Sequence, residues 1–203
     1  MPSGALPLLL AVACAQQPQD SVVYELSPAS RFEVRTGKAG LLGFAGHTHV
    51  IRARAVTGRI VYFPHAPAAS RVDIDVPAES LEVLTPPDTA EIRKVTQAMR
   101  SEVLHVEQYR DMRFVSRAVA PDSEGFQVQG ELTLAGTTRH VMLPVKVMIT
   151  GAGDTLRALG TFAIKQTDFG IRPYRGGPGG TVRVADRVTF DFEAVGVARP
   201  PRP

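Results

Sequence analysis

The sequence predicts a mainly β fold in which about eight antiparallel strands and one inserted α-helix form a barrel or a sandwich. Short runs of alternating apolar and polar residues recur along the chain, as expected of strands with one buried face. Turn-forming residues separate these runs, and one segment has helical periodicity. A barrel is favoured because closure removes exposed strand edges, and eight strands enclose room for packed side chains or one small ligand.

The clearest strand signal is a hairpin across residues 126–149. Val128 and Leu132 alternate with polar residues, Gly136 lies in the turn, and the alternation resumes from Val141. A two-stranded hairpin with one apolar face is not stable alone in water. The remaining strands therefore have to cover that face.

The other strands follow from the same alternation. Residues 22–35 predict two strands or one bent strand. Residues 45–55 predict a strand whose inner face carries His47 and His49 beside three alanines. Further strands are expected near residues 60–63, 72–76, 112–116, 156–164 and 188–195.

One helix is predicted ahead of the strand at residues 112–116. Asp88 is a candidate N-cap, and Glu91 three residues later completes a capping box. The apolar stripe of this helix consists of Ile92, Val95, Met99 and Val103. Such a stripe either plugs one end of a barrel or forms part of a cavity wall.

The first residues predict export. Residues 5–15 form an uncharged apolar run of signal-peptide length, which is too short to span a bilayer. Residues 1–15 are therefore interpreted as a signal peptide cleaved after Ala15, or as a lipoprotein signal ending before Cys14. The second route would anchor the protein to the cell envelope through Cys14. The protein is thus expected in the periplasm or outside the cell, with residues 16–21 as a linker.

Composition and charge limit the classes of function. The chain has 203 residues, enough for one domain, and its Pro-rich residues 198–203 are expected to be a disordered tail. It carries 23 Lys and Arg against 20 Asp and Glu, and the arginines are scattered, which argues against nucleic-acid binding. The glycines between residues 38 and 46 lack a phosphate-binding spacing. No cofactor is predicted.

Four segments in this order resemble one known family. They are YELSP and SRFEV within residues 24–34, AESL at residues 78–81 followed by residues 99–116, GELTLAGTTR at residues 130–139, and IKQTDFGI at residues 164–171. Together they are similar to YceI-like domains, also called polyisoprenoid-binding or lipid-binding domains. The resemblance covers residues 22–197, which are assigned to a single domain.

The resemblance implies an extended, lipocalin-like antiparallel barrel of eight strands that is closed by the helix. It also implies an apolar channel that holds an isoprenoid or a fatty-acid-type amphiphile. Such proteins are typically exported to the bacterial periplasm. The sequence departs from the family pattern at Gln166, where an Arg is common, and at Arg110-Asp111, where a Pro usually follows Tyr109. These departures concern head-group contacts rather than the fold.

A lipid carrier needs an apolar lining more than it needs a polar constellation. Each buried methylene contributes about 0.8 kcal/mol, so ten chain carbons contribute roughly 8 kcal/mol, which corresponds to a micromolar complex. On this hypothesis the two histidines make polar contacts and the other residues form the walls. The predicted ligand-binding residues are Phe32, His47, His49, Phe114, Leu132, Leu134, Leu143, Val145, Phe162 and Phe190.

A metal site is the main alternative. His47 and His49, two positions apart on one strand face, could share a metal ion, which would make the chain an envelope metal-binding protein or enzyme. No third ligand is evident on that face, although a metal site needs three or four. Ser80 and Ser116 lack a nucleophile elbow, so no catalytic residue and no enzymatic activity are predicted.

Two further features remain open at this point. Side chains could fill the barrel completely, which would make the protein a structural or interaction module. Arg172, Arg175 and Arg183 lie in a Gly-rich loop and are most simply explained as solvated. If that loop borders the barrel mouth, their guanidinium groups would meet an anionic head group.

Overall fold

The computed structural model describes residues 21–39, 48–84, 89–176 and 182–199. Several sequence predictions lie outside the described residues. They are the signal peptide, almost all of the linker, most of the C-terminal tail, His47 and the N-cap Asp88.

The described residues form twelve strands and one α-helix, which confirms the mainly β fold. The helix α1 (Thr89–Ala98) continues into a π-helical turn at Met99–Val103. The strands are β1 (Val22–Leu26), β2 (Arg31–Ala39), β3 (Val50–Ala53), β4 (Thr57–Tyr62), β5 (Arg71–Pro77), β6 (Leu81–Val83), β7 (Asp111–Asp122), β8 (Gly125–Leu134), β9 (Thr137–Thr150), β10 (Thr155–Lys165), β11 (Arg175–Gly176) and β12 (Val182–Ala198).

Eight of the described strands close into an antiparallel barrel. The order around the ring is β1-β4-β5-β7-β8-β9-β10-β12, and β12 pairs with β1 to complete it. One edge of the long β12 pairs with β10, whereas its other edge is shared between β1 and β2. From β2 the sheet continues through β3 to β6. The predicted eight-stranded barrel is therefore confirmed, with β2, β3 and β6 as an extension of its wall.

The predicted hairpin forms β8 and β9. Its turn consists of Ala135 and Gly136, with φ angles of 44° and 73°. Positive φ at both central residues is what a type I′ turn requires, and such turns match the twist of paired strands. The inward side chains Val128 and Leu143 are cross-strand partners, and both are buried. The alternation in the sequence therefore fixes the register.

One strand prediction needs correction, and one strand was missed. Residues 45–47 of the predicted strand at 45–55 lie outside the described residues, and its described part forms a strand only at β3, Val50–Ala53. Strand β6 has three residues and was not predicted, because a segment of that length shows no alternation of its own. It forms by pairing with β3, so that tertiary contact rather than local pattern defines it.

One end of the barrel is closed by Tyr24 on β1. This side chain is 1% exposed, and its hydroxyl donates a hydrogen bond to the carbonyl oxygen of Gly153 at 2.8 Å. Its ring lies beside Gly196, where a Cβ atom would come within 2.7 Å of the Tyr24 Cβ. Burial raises the pKa of the Tyr24 phenol, with smaller contributions from Tyr62 and Asp154. Tyr24 therefore remains a neutral hydrogen-bond donor.

The helix α1 lies at the opposite end, between β6 and β7 in the chain. Val95, Ala98 and Met99 face the barrel interior. Ile92 was predicted in the same stripe, but it borders an outer groove instead. Ile92 lies only about 20° around the helix from Met99 but roughly 10 Å before it along the axis, so its position along the helix separates it from the cavity. No helix among the described residues is long and apolar enough to cross a membrane.

Candidate ligand-binding site

The barrel encloses a cavity of about 570 Å³. This volume lies within the range of small-molecule binding sites, which is roughly 300–1,000 Å³. Ala194 and Ile60 line its deep part, towards Tyr24, and Val188 lines it near the α1 end. Ala194 and Val188 are six residues apart on β12, which corresponds to about 20 Å along the strand. The interior is therefore a long apolar space rather than a filled core.

The predicted wall residues face this cavity. His49 also lines it, at the end nearer α1, whereas His47 lies outside the described residues. That the wall residues and the two histidines bind a ligand remains a prediction. The residues from the predicted set that line the cavity are Phe32, His49, Phe114, Leu132, Leu134, Leu143, Val145, Phe162 and Phe190.

Four phenylalanine rings form a band across the middle of the wall. The rings of Phe162 and Phe190 stack with centroids 4.9 Å apart, and those of Phe32 and Phe192 are 6.2 Å apart. Phe162 also contacts Phe192 edge-on at 6.4 Å. Such ring pairs hold one another in place. Phe192 was missed in the sequence, although it continues the alternation from Phe190.

Inward-facing glycines keep the aromatic rings against the wall. A Cβ atom at Gly130 would lie 2.5 Å from ring carbons of Phe114, and one at Gly160 would lie 2.5 Å from the ring of Phe192. The rings therefore occupy the space that a side chain would fill at each glycine. This arrangement leaves the centre of the barrel open. The signal in the sequence was a glycine at an inward strand position, which indicates close approach of another group.

We expect Gly130→Ala to destabilise the protein and to narrow the cavity. The new Cβ atom would lie 2.5 Å from the ring of Phe114 and 2.6 Å from the Val115 carbonyl oxygen. Overpacking of this kind costs about 1–3 kcal/mol. Urea unfolding measures the change, and Gln129→Ala on the exposed face of the same strand is the control. Equal stability of the two variants would mean that the ring of Phe114 is not held over Gly130.

Polar groups are concentrated where the cavity approaches α1. The Oγ1 atom of Thr36 accepts a hydrogen bond from the backbone N–H of His49 at 3.0 Å. The side-chain amide of Gln166 donates to the carbonyl oxygen of Ala185 at 2.8 Å. Tyr174 and Arg183 line the same region. We call this end, defined by Thr36, His49, Gln166, Tyr174 and Arg183, the cavity mouth.

Asp186, three residues after Arg183 on β12, is held by a neighbouring turn. It accepts hydrogen bonds from the backbone N–H of Thr167 at 2.9 Å and from the Thr167 hydroxyl at 2.7 Å. These two bonds lower the pKa of Asp186 below its usual value. Asp186 is thus ionised at neutral pH and satisfied by Thr167.

Two further carboxylates border the cavity, and both pair with arginines. Glu33 is 7% exposed and accepts a hydrogen bond from Nε of Arg52 at 2.9 Å. Asp191 lies 3.1 Å from Nε of Arg35 and accepts a hydrogen bond from the hydroxyl of Thr161. The ion pairs offset part of the cost of burying these carboxylates, although the buried Oδ2 atom of Asp191 accepts no hydrogen bond from the described residues.

The described residues contain no group of three or more His, Cys, Asp or Glu side chains that could hold a metal ion. His49 therefore has no set of ligands around it within the described part of the chain. Ser116 is buried, and its hydroxyl oxygen accepts a hydrogen bond from the backbone N–H of Val72 at 2.8 Å. Ser80 donates to the carbonyl oxygen of Ala55. Each serine thus has a structural hydrogen bond.

A family model and a curated protein both match this chain. The model of the YceI-like domain matches residues 24–196. A UPF0312 protein of Enterobacter sp. (strain 638) is 30% identical over 97 residues, and the aligned stretch spans 48% of this chain and 46% of that protein. The chain thus spans about half the length of this curated relative.

Solved structures share the fold. BcnA of Burkholderia cenocepacia has a TM-score of 0.67 at 20% identity, covering 84% of this chain and 98% of that one. A polyisoprenoid binding domain from Saccharophagus degradans, implicated in plant cell wall breakdown, has a TM-score of 0.61 at 13% identity, covering 87% and 98%. A YceI protein of Campylobacter jejuni has a TM-score of 0.56 at 17% identity, covering 73% and 84%. At these identities the likeness concerns the fold alone.

Proposed function

The chain belongs to the family of YceI-like domains, and from this premise we propose that it binds one amphiphilic lipid inside its barrel. The lipid chain, of isoprenoid or fatty-acid type, lies along the apolar cavity, and its head group lies at the cavity mouth. The protein sequesters or carries this lipid and catalyses no reaction on it. The polyisoprenoid binding domain from Saccharophagus degradans, which has the same fold, supports the choice of an isoprenoid.

The observation that carries this proposal is the distribution of polarity along the cavity. From Ala194 to Val188 the wall is formed mainly by aliphatic and aromatic side chains, and the carboxylates Glu33 and Asp191 on this stretch are paired with arginines. Most of the other polar side chains lie at the mouth. A chain molecule with a polar end has this same distribution. Ten buried methylenes would contribute roughly 8 kcal/mol before ordering costs, which is in the range of micromolar binding.

The sequence of the first residues supports an exported location for the protein. The apolar run at residues 5–15 has the length and composition of a signal peptide. We therefore propose that the protein acts in the periplasm or outside the cell, where a lipid moving between membranes needs an apolar enclosure. Cleavage after Ala15 releases the protein, and lipidation at Cys14 instead anchors it to the envelope.

A fluorescence titration tests the proposed binding. Purified protein freed of lipid by an organic wash and refolded is mixed with a dansyl-labelled farnesol analogue, and unlabelled farnesol and palmitate are added as competitors. We expect saturable binding of one probe per chain with a micromolar Kd, and displacement by at least one competitor. A folded protein that binds neither an isoprenoid nor an acyl chain would contradict the proposal.

A further inference from the structure

We propose that the cavity encloses a lipid chain of at most roughly 20 carbons, because its deep end is closed. Ile60, Ala158 and Ala194 set this limit. The inference deepens the proposed function and rests on it. It specifies the size class of the lipid, whereas the proposed function concerns only the binding of a chain.

The floor of the cavity is formed by side chains from three strands. Ile60 on β4, Ala158 on β10 and Ala194 on β12 line its deep part, and all three are buried. Ala158 and Ala194 are cross-strand partners. Because two of these side chains are small, adding or removing a few carbons at this level changes the depth of the cavity.

Beyond the floor, side chains fill the barrel. Tyr24 and Leu156 belong to the same apolar cluster as the floor residues and are almost completely buried, but neither lines the cavity. Tyr24 is the cross-strand partner of Ile60. Its hydroxyl donates a hydrogen bond to the carbonyl oxygen of Gly153, which holds the ring in place. A chain that enters from the mouth therefore ends at the floor.

A chain that is too long for the cavity extends out of the mouth. Thr36, His49 and Gln166 line that end, so the extra carbons would lie beside polar groups and water. Such carbons add little to affinity, because the gain comes from apolar surface that is removed from water. Affinity should therefore rise with chain length only up to the limit.

The size of the cavity gives the limit in carbons. A methylene group occupies about 30 Å³, close to the volume of a water molecule in the liquid. The cavity of about 570 Å³ therefore holds roughly 19 methylenes. The stretch from Ala194 to Val188 gives a similar value, because about 20 Å accommodates roughly 16 carbons of an extended chain. Farnesyl, geranylgeranyl, palmitoyl and stearoyl chains lie within this limit, whereas long polyprenyl chains exceed it.

Competition binding over two series of chain lengths tests the limit. Saturated carboxylates from decanoate to tetracosanoate, and prenols from geraniol to geranylfarnesol, displace the dansyl-labelled farnesol analogue from the full chain. All are used below the concentrations at which they form micelles. We expect Kd to fall about fourfold for each added methylene up to roughly 16–20 carbons, and then to stay constant to within about twofold.

Two variants should move this break in opposite directions. Ile60→Ala removes an ethyl and a methyl group at the floor, so the break should move to chains about two carbons longer. Ala194→Val adds methyl groups at the same level, so the break should move to chains about two carbons shorter. Because the shifts are opposite, either variant tests the limit if the other does not fold. Circular dichroism checks the folding of each.

Val61→Ala is the matched control, because Val61 follows Ile60 on β4, alternates to the outer face and does not line the cavity. It should leave the break where the wild-type protein has it. Affinity that keeps rising to the longest chain of every series that binds would overturn the inference and leave lipid binding standing. A break that neither floor variant moves would do the same. If neither series displaces the probe, the proposed function fails and this inference fails with it.

Discussion

Ala158→Phe is expected to weaken binding of a farnesyl or palmitoyl chain about a hundredfold while the barrel remains folded. Ala158 is the cross-strand partner of Ala194, and both side chains line the deep part of the cavity. A phenyl ring there would occupy space that about four methylenes of the ligand need. At about 0.8 kcal/mol for each methylene, the loss is roughly 3 kcal/mol, which corresponds to about a hundredfold in Kd.

Met148→Phe provides the control for this variant. Met148 pairs with Arg157, the outward neighbour of Ala158, and it is 49% exposed. The same ring is thus added to the outer face of the adjacent strand. We expect Met148→Phe to bind the lipid as the wild-type protein does. Unchanged affinity of a folded Ala158→Phe would show that the chain of the ligand does not reach the deep part of the cavity.

Tyr24→Ala is expected to destabilise the protein by about 3–5 kcal/mol, the range found for removal of a buried aromatic side chain. The ring of Tyr24 is 1% exposed and covers Gly196 at the closed end of the barrel. Since native domains are stable by only about 5–15 kcal/mol, this loss is a large part of the total. Urea unfolding followed by circular dichroism measures it.

Tyr24→Phe separates the contribution of the ring from that of the hydroxyl. It keeps the ring and leaves the carbonyl oxygen of Gly153 without its donor, so we expect a loss of about 1 kcal/mol. The loss of unfolding free energy should therefore be several times larger for Tyr24→Ala than for Tyr24→Phe. If Tyr24→Ala unfolds at the same urea concentration as Tyr24→Phe, the ring does not close this end of the barrel.

The strands of the barrel could be predicted because their side-chain pattern is local. Val128, Leu132 and Leu143 all face inwards as the alternation requires. Strand β6 could not be found in this way, since its three residues are defined by pairing with β3. The position of Ile92 was wrong for a related reason: a stripe on a short helix does not specify which part of its length contacts the barrel.

The wall of the site could be predicted more fully than its mouth. An inward aromatic or aliphatic residue on a barrel strand lines whatever the barrel encloses, so Phe162 and Leu134 followed from alternation alone. Whether the centre is open depends on ring orientations, such as that of Phe114 over Gly130, and a sequence does not specify these. The pairing of Arg175 with Arg183 likewise depends on a register that only folding defines.

Solvent extraction of the purified protein, followed by mass spectrometry, tests the central claim most directly. The claim is that the barrel encloses an apolar space that holds one lipid chain. We predict that the protein releases close to one amphiphile per chain, and that Ala158→Phe prepared in parallel releases much less than Met148→Phe. An extract that contains no amphiphile, from a protein that also takes up none when farnesol and palmitate are supplied during refolding, would contradict the claim.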